Sequence, residues 1–455
     1  MAFSPDGRLF VNEQRGDLRV IKNGTLLEEP FLTVSVNSFT ERGLNGIAFD
    51  PEFDDNGYVY VYYTTSSVPI HNRISRFMAD PSNPDVAAAG SEVIILDLEE
   101  LNESLHHNGG ALNFGEDGKL YVGVGYNTNN TNPQSLATRL GKILRINSDG
   151  SIPSDNPYVN TSGAKGEIWA LGLRNPFTGA MKPGTNTLYV NDVGLATWEE
   201  INAVEKGGNY GWRVCEGACS RPDLMDPIYA YEHPGEVRRV ISGGTFYEAT
   251  QFPEEYRGSY FFGDFLGNYI KILTPDHAAV DFLNNTTSPV DIDVGPGGSL
   301  YYLSYLEGAV HKVTYGSEPP MATSTAFATL DGNRYPVEAE STGAKVTAAT
   351  IDANKSVTVF ISGSGEVRLK LQKIMIDGIS RIMAGSQEVP FTTVESTASD
   401  TTIEFSVPIG VNSVEIMGAT VVPEFGTVAL LVVGTSIVTL IGIARFRGMS
   451  VGFRL

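Results

Sequence analysis

Cysteine is nearly absent: the 455 residues hold two, Cys215 and Cys219 in the stretch CEGAC. Two thiols with no histidine close by in sequence cannot complete a zinc site. In an oxidising compartment they can close a small local disulfide, and a free buried pair is the alternative. Positive charge is also short. Against 53 acidic residues stand 32 Lys and Arg, leaving −21. That balance argues against a nucleic-acid partner, whose phosphates would be repelled, and suits solubility outside the cell or at high salt. The N-terminus lacks an apolar export segment and opens on MAFSPDG, inside what reads as a strand–turn–strand unit. The expectation is an incomplete start or a removed signal. Histidine is scarce too, six in all, yet His106 and His107 stand side by side before the flexible pair Gly109-Gly110.

Apolar residues are plentiful, at 42% with 10% aromatic, enough for a packed core, and the length implies two or three domains. One pattern recurs: a Gly-containing turn followed by a run of Leu, Val and aromatics. It appears as SPDGRLFV (4–11), DDNGYVYV (54–61), GEDGKLYV (115–122), KPGTNTLYV (182–190), EYRGSYFF (255–262) and GPGGSLYY (295–302). A short apolar stretch precedes most copies and another strand follows, so each unit holds three or four short strands. Such units repeated around an axis make a β-propeller. Residues 1–316 therefore read as a six-bladed β-propeller whose first blade is short of sequence at its Met1 edge. A sandwich array is the alternative.

Residues 317–330, SEPPMATSTAFATL, read as a linker. Residues 331–420 alternate in strand fashion and read as a small β-sandwich spacer. Within 421–455, Thr427 to Ala444 is free of charge for 18 residues, inside the ~17–25 needed for a transmembrane helix. Arg445, Arg447 and Arg454 follow it, and basic residues prefer the cytoplasmic side, so the bulk of the chain is expected outside the cell, anchored by its C-terminus. Val422-Pro423-Glu424-Phe425-Gly426 before the span resembles the PEFG-type sorting signal of archaeal surface proteins. That resemblance implies a sorting protease as a partner.

The propeller portion resembles the quinoprotein glucose/sorbosone dehydrogenases, which include soluble aldose sugar dehydrogenases. The likeness runs over about residues 1–315 and rests on ERGLNGIAFDPEFDDNGYVYVYYT (41–64), HHNGGALNFGEDGKLYVGVG (106–125), IWALGLRNPF (168–177), WEEINAVEKGGNYGW (198–212) and SGGTFYEATQFPEEYRGSYFFGDF (242–265). It implies oxidation of an aldose or related sugar, with pyrroloquinoline quinone (PQQ) and calcium as cofactors and electrons passed to an external acceptor. His107 matches the catalytic base, a role that imidazole chemistry suits, and Gly109-Gly110 would leave room for a ring to approach. Arg174 and Asn175 match the cofactor-binding pair, the guanidinium fork fitting quinone oxygens and carboxylates. Gly194 and Leu195 match the loop whose carbonyls hold the cofactor calcium. Glu200 and the Tyr210 carbonyl match a second, structural calcium site, and oxygen ligands suit that hard cation.

The chain departs from the family pattern in four places. Tyr126 stands where the family has an Asp hydrogen-bonded to the catalytic histidine, so His107 should be a weaker base. Glu41 takes the position of a cofactor-contacting Gln and would repel PQQ carboxylates. A cofactor-binding lysine has no counterpart near Phe265-Leu266-Gly267, and an Arg-x-Arg motif is missing before Val290-Asp291-Ile292. These departures keep a second function class open: a non-catalytic propeller binding a carbohydrate or protein partner at the cell surface, as hedgehog-interacting-type relatives do. A purely structural surface-layer role is a third.

Overall fold

The computed structural model describes residues 1–315, 321–330, 332–353, 355–408, 410–421 and the backbone of 449–454. The chain divides into two compact units, the first built on Met1–Tyr315.

In the first unit each of the six apolar runs becomes the second strand of an antiparallel sheet: Leu9–Asn12, Tyr58–Thr64, Leu120–Val124, Leu188–Asp192, Ser259–Asp264 and Leu300–Ser304. Most of these strands are buried on both faces, because neighbouring sheets pack against each side, while Leu300–Ser304 alternates buried and half-buried residues. Tyr58–Thr64, for instance, is buried along almost its whole length. Double burial is why the sequence shows continuous apolar runs here rather than alternation. The hydrophobic clusters lie between consecutive sheets: Leu18 and Val20 meet Val59 and Val61, and Tyr60 and Tyr62 meet Leu120 and Val122.

The first strands of the six sheets are Ala2–Phe3, Leu44–Phe49, Gly109–Phe114, Pro176–Met181, Ile241–Tyr247 and Pro289–Val294. From Leu44–Phe49 onward each packs on the next, and Pro289–Val294 meets Ala2–Phe3, closing the circle of a six-bladed propeller. Crowding at the axis demands small residues. A Cβ on Gly46 would fall 2.3 Å from the Gly110 carbonyl oxygen. The first blade is not missing its inner strand, but that strand is only the pair Ala2–Phe3. The Phe3 N–H donates to the Asp293 carboxylate at 3.1 Å, and Val310 of the sixth blade packs with Leu9, Val11 and Ile21. The backbone of Met449–Arg454, read from sequence as a basic tail, pairs as the outer strand of the sixth sheet.

The second unit is two five-stranded antiparallel sheets around one core of Val337, Leu369, Leu371, Val357, Val359, Ile416 and neighbours. The linker reading needs correction. Ala322–Leu330 is a strand paired over its full length with Asn333–Ser341. Its inward residues are Ala326 and Ala328, whose small side chains gave the segment a linker-like composition. No helix among the described residues is long and apolar enough to cross a membrane. The charge-free stretch 427–444 and the PEFG-type motif lie outside the described residues.

Candidate active site

The ends of the inner strands and the loops entering them surround a cavity of about 670 Å³ on the propeller axis. Its lining brings together six residues singled out from the sequence: Glu41, His107, Arg174, Asn175, Gly194 and Leu195. Glu200 and Tyr210 do not line it.

His107 lies in the turn before the strand Gly109–Phe114, in the left-handed region at φ 61°. A non-glycine residue holds that conformation only when its surroundings fix it. Glu41 does so. One carboxylate oxygen accepts the His107 N–H at 2.6 Å and the other faces His106 Nδ1 at 3.0 Å. The Glu41 carboxylate is thus engaged by the histidine turn, which offsets the repulsion expected of it. On the other side the His107 ring stacks on the buried Tyr126 ring, centroids 5.1 Å apart and planes 18° from parallel. Nδ1 is buried without a hydrogen-bond partner, and the residue lines the cavity. Burial, reinforced by the nearby Arg174 guanidinium and by His106, pushes the His107 pKa down to about 3.

Gly109 and Gly110 serve the backbone more than a ligand. A Cβ on Gly109, at φ 76°, would lie 2.3 Å from the Gly123 carbonyl oxygen. The expected room for a ring is therefore largely taken by neighbouring strands.

Arg174 and Asn175 owe their places to Asp192, which sequence reasoning missed. Its carboxylate ends the strand Leu188–Asp192 and accepts the N–H groups of Arg174 at 2.9 Å and Asn175 at 2.5 Å. Full burial raises the Asp192 pKa to about 6 despite those donors. Asn175 Oδ1 accepts the Gly109 N–H at 2.9 Å, and the Arg174 carbonyl accepts the Tyr126 N–H at 2.9 Å. Two blades are tied together at the site in this way. The Arg174 side chain donates to the Val193 carbonyl at 2.7 Å and lies over the Trp212 ring at 5.6 Å, with Nε buried and unpartnered.

The sequence also concealed two cavity cations. Arg238 and Arg239 line the cavity although the expected lysine and Arg-x-Arg positions are empty of charge. Their only signal was adjacency, EVRR one residue before the inner strand Ile241–Tyr247. Arg238 donates to the Leu195 carbonyl at 3.3 Å. Behind the cavity, Glu200 accepts the Gly217 N–H at 2.6 Å and the Asn202 amide at 3.3 Å, and burial lifts its pKa to about 8. Tyr210 donates its hydroxyl to the Ala203 carbonyl at 2.6 Å. Among the described residues no three His, Cys, Asp or Glu side chains form a metal cluster, so a cation at Gly194 and Leu195 would rest on main-chain oxygen.

An axial propeller cavity lined by His107, Arg174, Arg238 and Arg239 has the form of a small-molecule site. Residues 1–311 match the Glucose / Sorbosone dehydrogenase family, and the chain belongs to that family. It is 26% identical to the aldose sugar dehydrogenase YliI of Escherichia coli, over 67% of this chain and 86% of that one. The PQQ-bound aldose sugar dehydrogenase of Streptomyces coelicolor shares 25% identity with a TM-score of 0.57, covering 66% of this chain and 86% of that one. The human hedgehog-interacting protein is 28% identical over 59% of this chain, which spans 41% of that protein. Its relatives thus include both sugar dehydrogenases and hedgehog-interacting proteins.

Proposed function

We propose that the propeller oxidises the anomeric carbon of an aldose with PQQ and calcium, passing electrons to an external acceptor. The observation that carries this reading is the meeting of His107, Arg174, Arg238 and Arg239 in one cavity, with the Arg174 Nε buried and lacking a partner. Unpartnered buried polar groups are costly and point to a missing ligand. The residues fit the quinone. Arg174, Arg238 and Arg239 offer donors for carboxylates and quinone oxygens. They also fit calcium. The Asn202 Oδ1, buried and unpartnered on the amide that bonds Glu200, adds an oxygen to the Glu200 and Tyr210 carbonyl set. Gly194 and Leu195 would hold the cofactor calcium through their carbonyls.

When bound, PQQ supplies a two-electron acceptor for the hydride of the anomeric carbon. His107 Nε2 takes the hydroxyl proton, and its depressed pKa keeps it in the neutral, proton-accepting form. Arg174 holds positive charge where negative charge develops. Glu41 fixes the histidine turn, and Tyr126 closes the ring's other face.

Adding PQQ with calcium to the full chain is expected to raise the melting temperature, because a ligand of the folded state at 100 times its Kd stabilises by ~2.7 kcal/mol. Glucose should then bleach the oxidised cofactor. A second reading, a partner-binding propeller, is favoured by one observation: Tyr126 stacks on His107 where the family places a carboxylate. It would be the survivor if neither the melting shift nor the bleaching occurred.

We also infer an extracytoplasmic location, with the segment 427–444 as a membrane anchor and the PEFG-type motif read by a sorting protease. The closed Cys215–Cys219 disulfide supports an oxidising compartment. Protease added to intact cells should shave the propeller. Protection until lysis would refute the topology.

A further inference from the structure

Between the blade-four strands Trp198–Val204 and Tyr229–Glu232 the chain makes a short ring closed by the Cys215–Cys219 disulfide. Glu216 sits inside that ring, half-buried. Its Oε1 accepts the Leu195 N–H at 2.7 Å, and the N–H groups of Ala196, Thr197 and Trp198 converge on the same oxygen at 3.2, 3.3 and 3.3 Å. Consecutive main-chain N–H groups of this kind form an anion-binding concavity. Gly217 follows, donating to Glu200 and standing against the Trp198 indole, where a Cβ would be 2.8 Å away. On the far side both sulfurs press on Gly211, at 2.8 and 2.9 Å from where its Cβ would be. Gly211 precedes Trp212, whose ring packs edge-on with Tyr126 at 5.8 Å and under Arg174. The ring therefore meets the cavity-lining Leu195 directly and reaches Arg174 and Tyr126 only through Trp212.

Peptide planarity gives the contact a consequence. The Leu195 N–H and the Gly194 carbonyl belong to one planar trans unit and point in opposite directions. The same holds for the Ala196 N–H and the Leu195 carbonyl. A carboxylate that pins these N–H groups on one side aims both carbonyls to the other.

We propose that the Cys215–Cys219 ring is a clasp, and that Glu216 is a positioning residue that aims the Gly194 and Leu195 carbonyls for the cofactor cation. The functional part of this proposal rests on the quinone–calcium reading above. The clasp keeps its hold only while the disulfide is closed, since opening the ring frees Glu216 from a fixed position over the nest.

Hydrogen–deuterium exchange on the full chain without quinone reads the clasp directly. Glu216→Ala should speed exchange of the Leu195–Trp198 amides about 10–100-fold, the size expected for a lost charge-assisted hydrogen bond. Glu216→Gln, which keeps an acceptor oxygen, should restore most of the protection. The double variant Cys215→Ser, Cys219→Ser should speed the same amides with Glu216 still present. In the PQQ melting titration, Glu216→Ala should raise the calcium concentration needed for half of the effect at least about tenfold, while Glu216→Gln stays within about threefold of wild type. Wild-type exchange rates in Glu216→Ala would overturn the clasp. Altered exchange with an unchanged calcium requirement would overturn the positioning role. If the wild type takes no quinone yet the exchange pattern holds, the clasp stands and the quinone reading falls.

Discussion

His107→Ala should cut sugar-dependent turnover about 10²–10⁴-fold, the usual loss with a general base, while the PQQ-dependent rise in melting temperature stays near that of wild type. The split follows from geometry. His107 lines the cavity as a neutral ring, whereas the positive charge available to an anionic cofactor there comes from Arg174, Arg238 and Arg239. Its pH behaviour is a second signature. Burial, Arg174 and His106 hold the pKa at about 3, so the acid limb of kcat/KM should fall below pH 4 instead of near the ordinary value of ~6.5. The same shift bears on stability. The unfolded chain binds the proton below ~6.5 and the folded chain only near 3, so the contribution is whole above 6.5 and drains away as pH falls towards 3. Tyr126→Asp gives the orphaned Nδ1 a carboxylate partner. It should move the acid limb upward and increase turnover, at a cost in melting temperature from the lost aromatic packing. Equal turnover in wild type and His107→Ala would remove the histidine from the mechanism whatever the family.

Much of this architecture could be read from runs of letters. Six Gly-turn-plus-apolar units became six blades because a strand squeezed between two sheets must be apolar on both faces, a demand that leaves a visible trace. The edge strand Ala322–Leu330 left no such trace. Only one face is buried, and alanines do the packing. At the site, residues carried by local motifs were legible: the histidine pair, GLRNPF and the Gly194-Leu195 loop reach one cavity. What escaped depends on contacts made far along the chain. Glu41 reaches His106 and His107 across 65 and 66 positions, so its letter alone suggested repulsion where the fold uses it as a brace. Arg238 and Arg239 occupy a loop whose approach to the axis is decided by blade closure. The position of Tyr126 was visible, but its face-on stacking depends on the Arg174 carbonyl that anchors its N–H and on Trp212 behind it.

The two orphaned atoms deepen the contrast between the readings. Arg174 Nε and His107 Nδ1 are both buried without partners, at a cost of about 1–3 kcal/mol each, but only the Arg174 guanidinium offers its remaining donors to the cavity. A site that fills with a polyanionic quinone regains part of that cost on binding. Tyr126 pulls the other way, since a carboxylate in its place would satisfy Nδ1 permanently. The chain thus keeps Arg174 in the cavity, lines it with Arg238 and Arg239 in place of the missing lysine and Arg-x-Arg cations, and alters the residue beside the histidine.

Asp192→Ala should disable the site more broadly than loss of any cavity residue. Its carboxylate holds the N–H groups of Arg174 and Asn175, and these residues in turn hold Tyr126 through a carbonyl and Gly109 through Asn175 Oδ1. Removing it leaves two buried donors unsatisfied, about 1–3 kcal/mol each, so the propeller should melt several degrees lower. Because Arg174 and the histidine turn lose a common support, quinone binding and turnover should both collapse, unlike the split expected for His107→Ala. Asp192→Asn is the control for shape. Its one oxygen can still accept the Asn175 N–H, but its amide nitrogen opposes the Arg174 N–H, so it should fall between wild type and alanine in melting and in quinone affinity. The pH dependence runs opposite to that of His107. Burial raises the Asp192 pKa to about 6 from an ordinary 3.8, so the folded chain holds an extra proton between those values. The penalty of burying the charge is present at neutral pH and is relieved as pH falls through about 6. Wild-type melting and wild-type quinone affinity in Asp192→Ala would show that Arg174 and Asn175 are positioned by the blades alone.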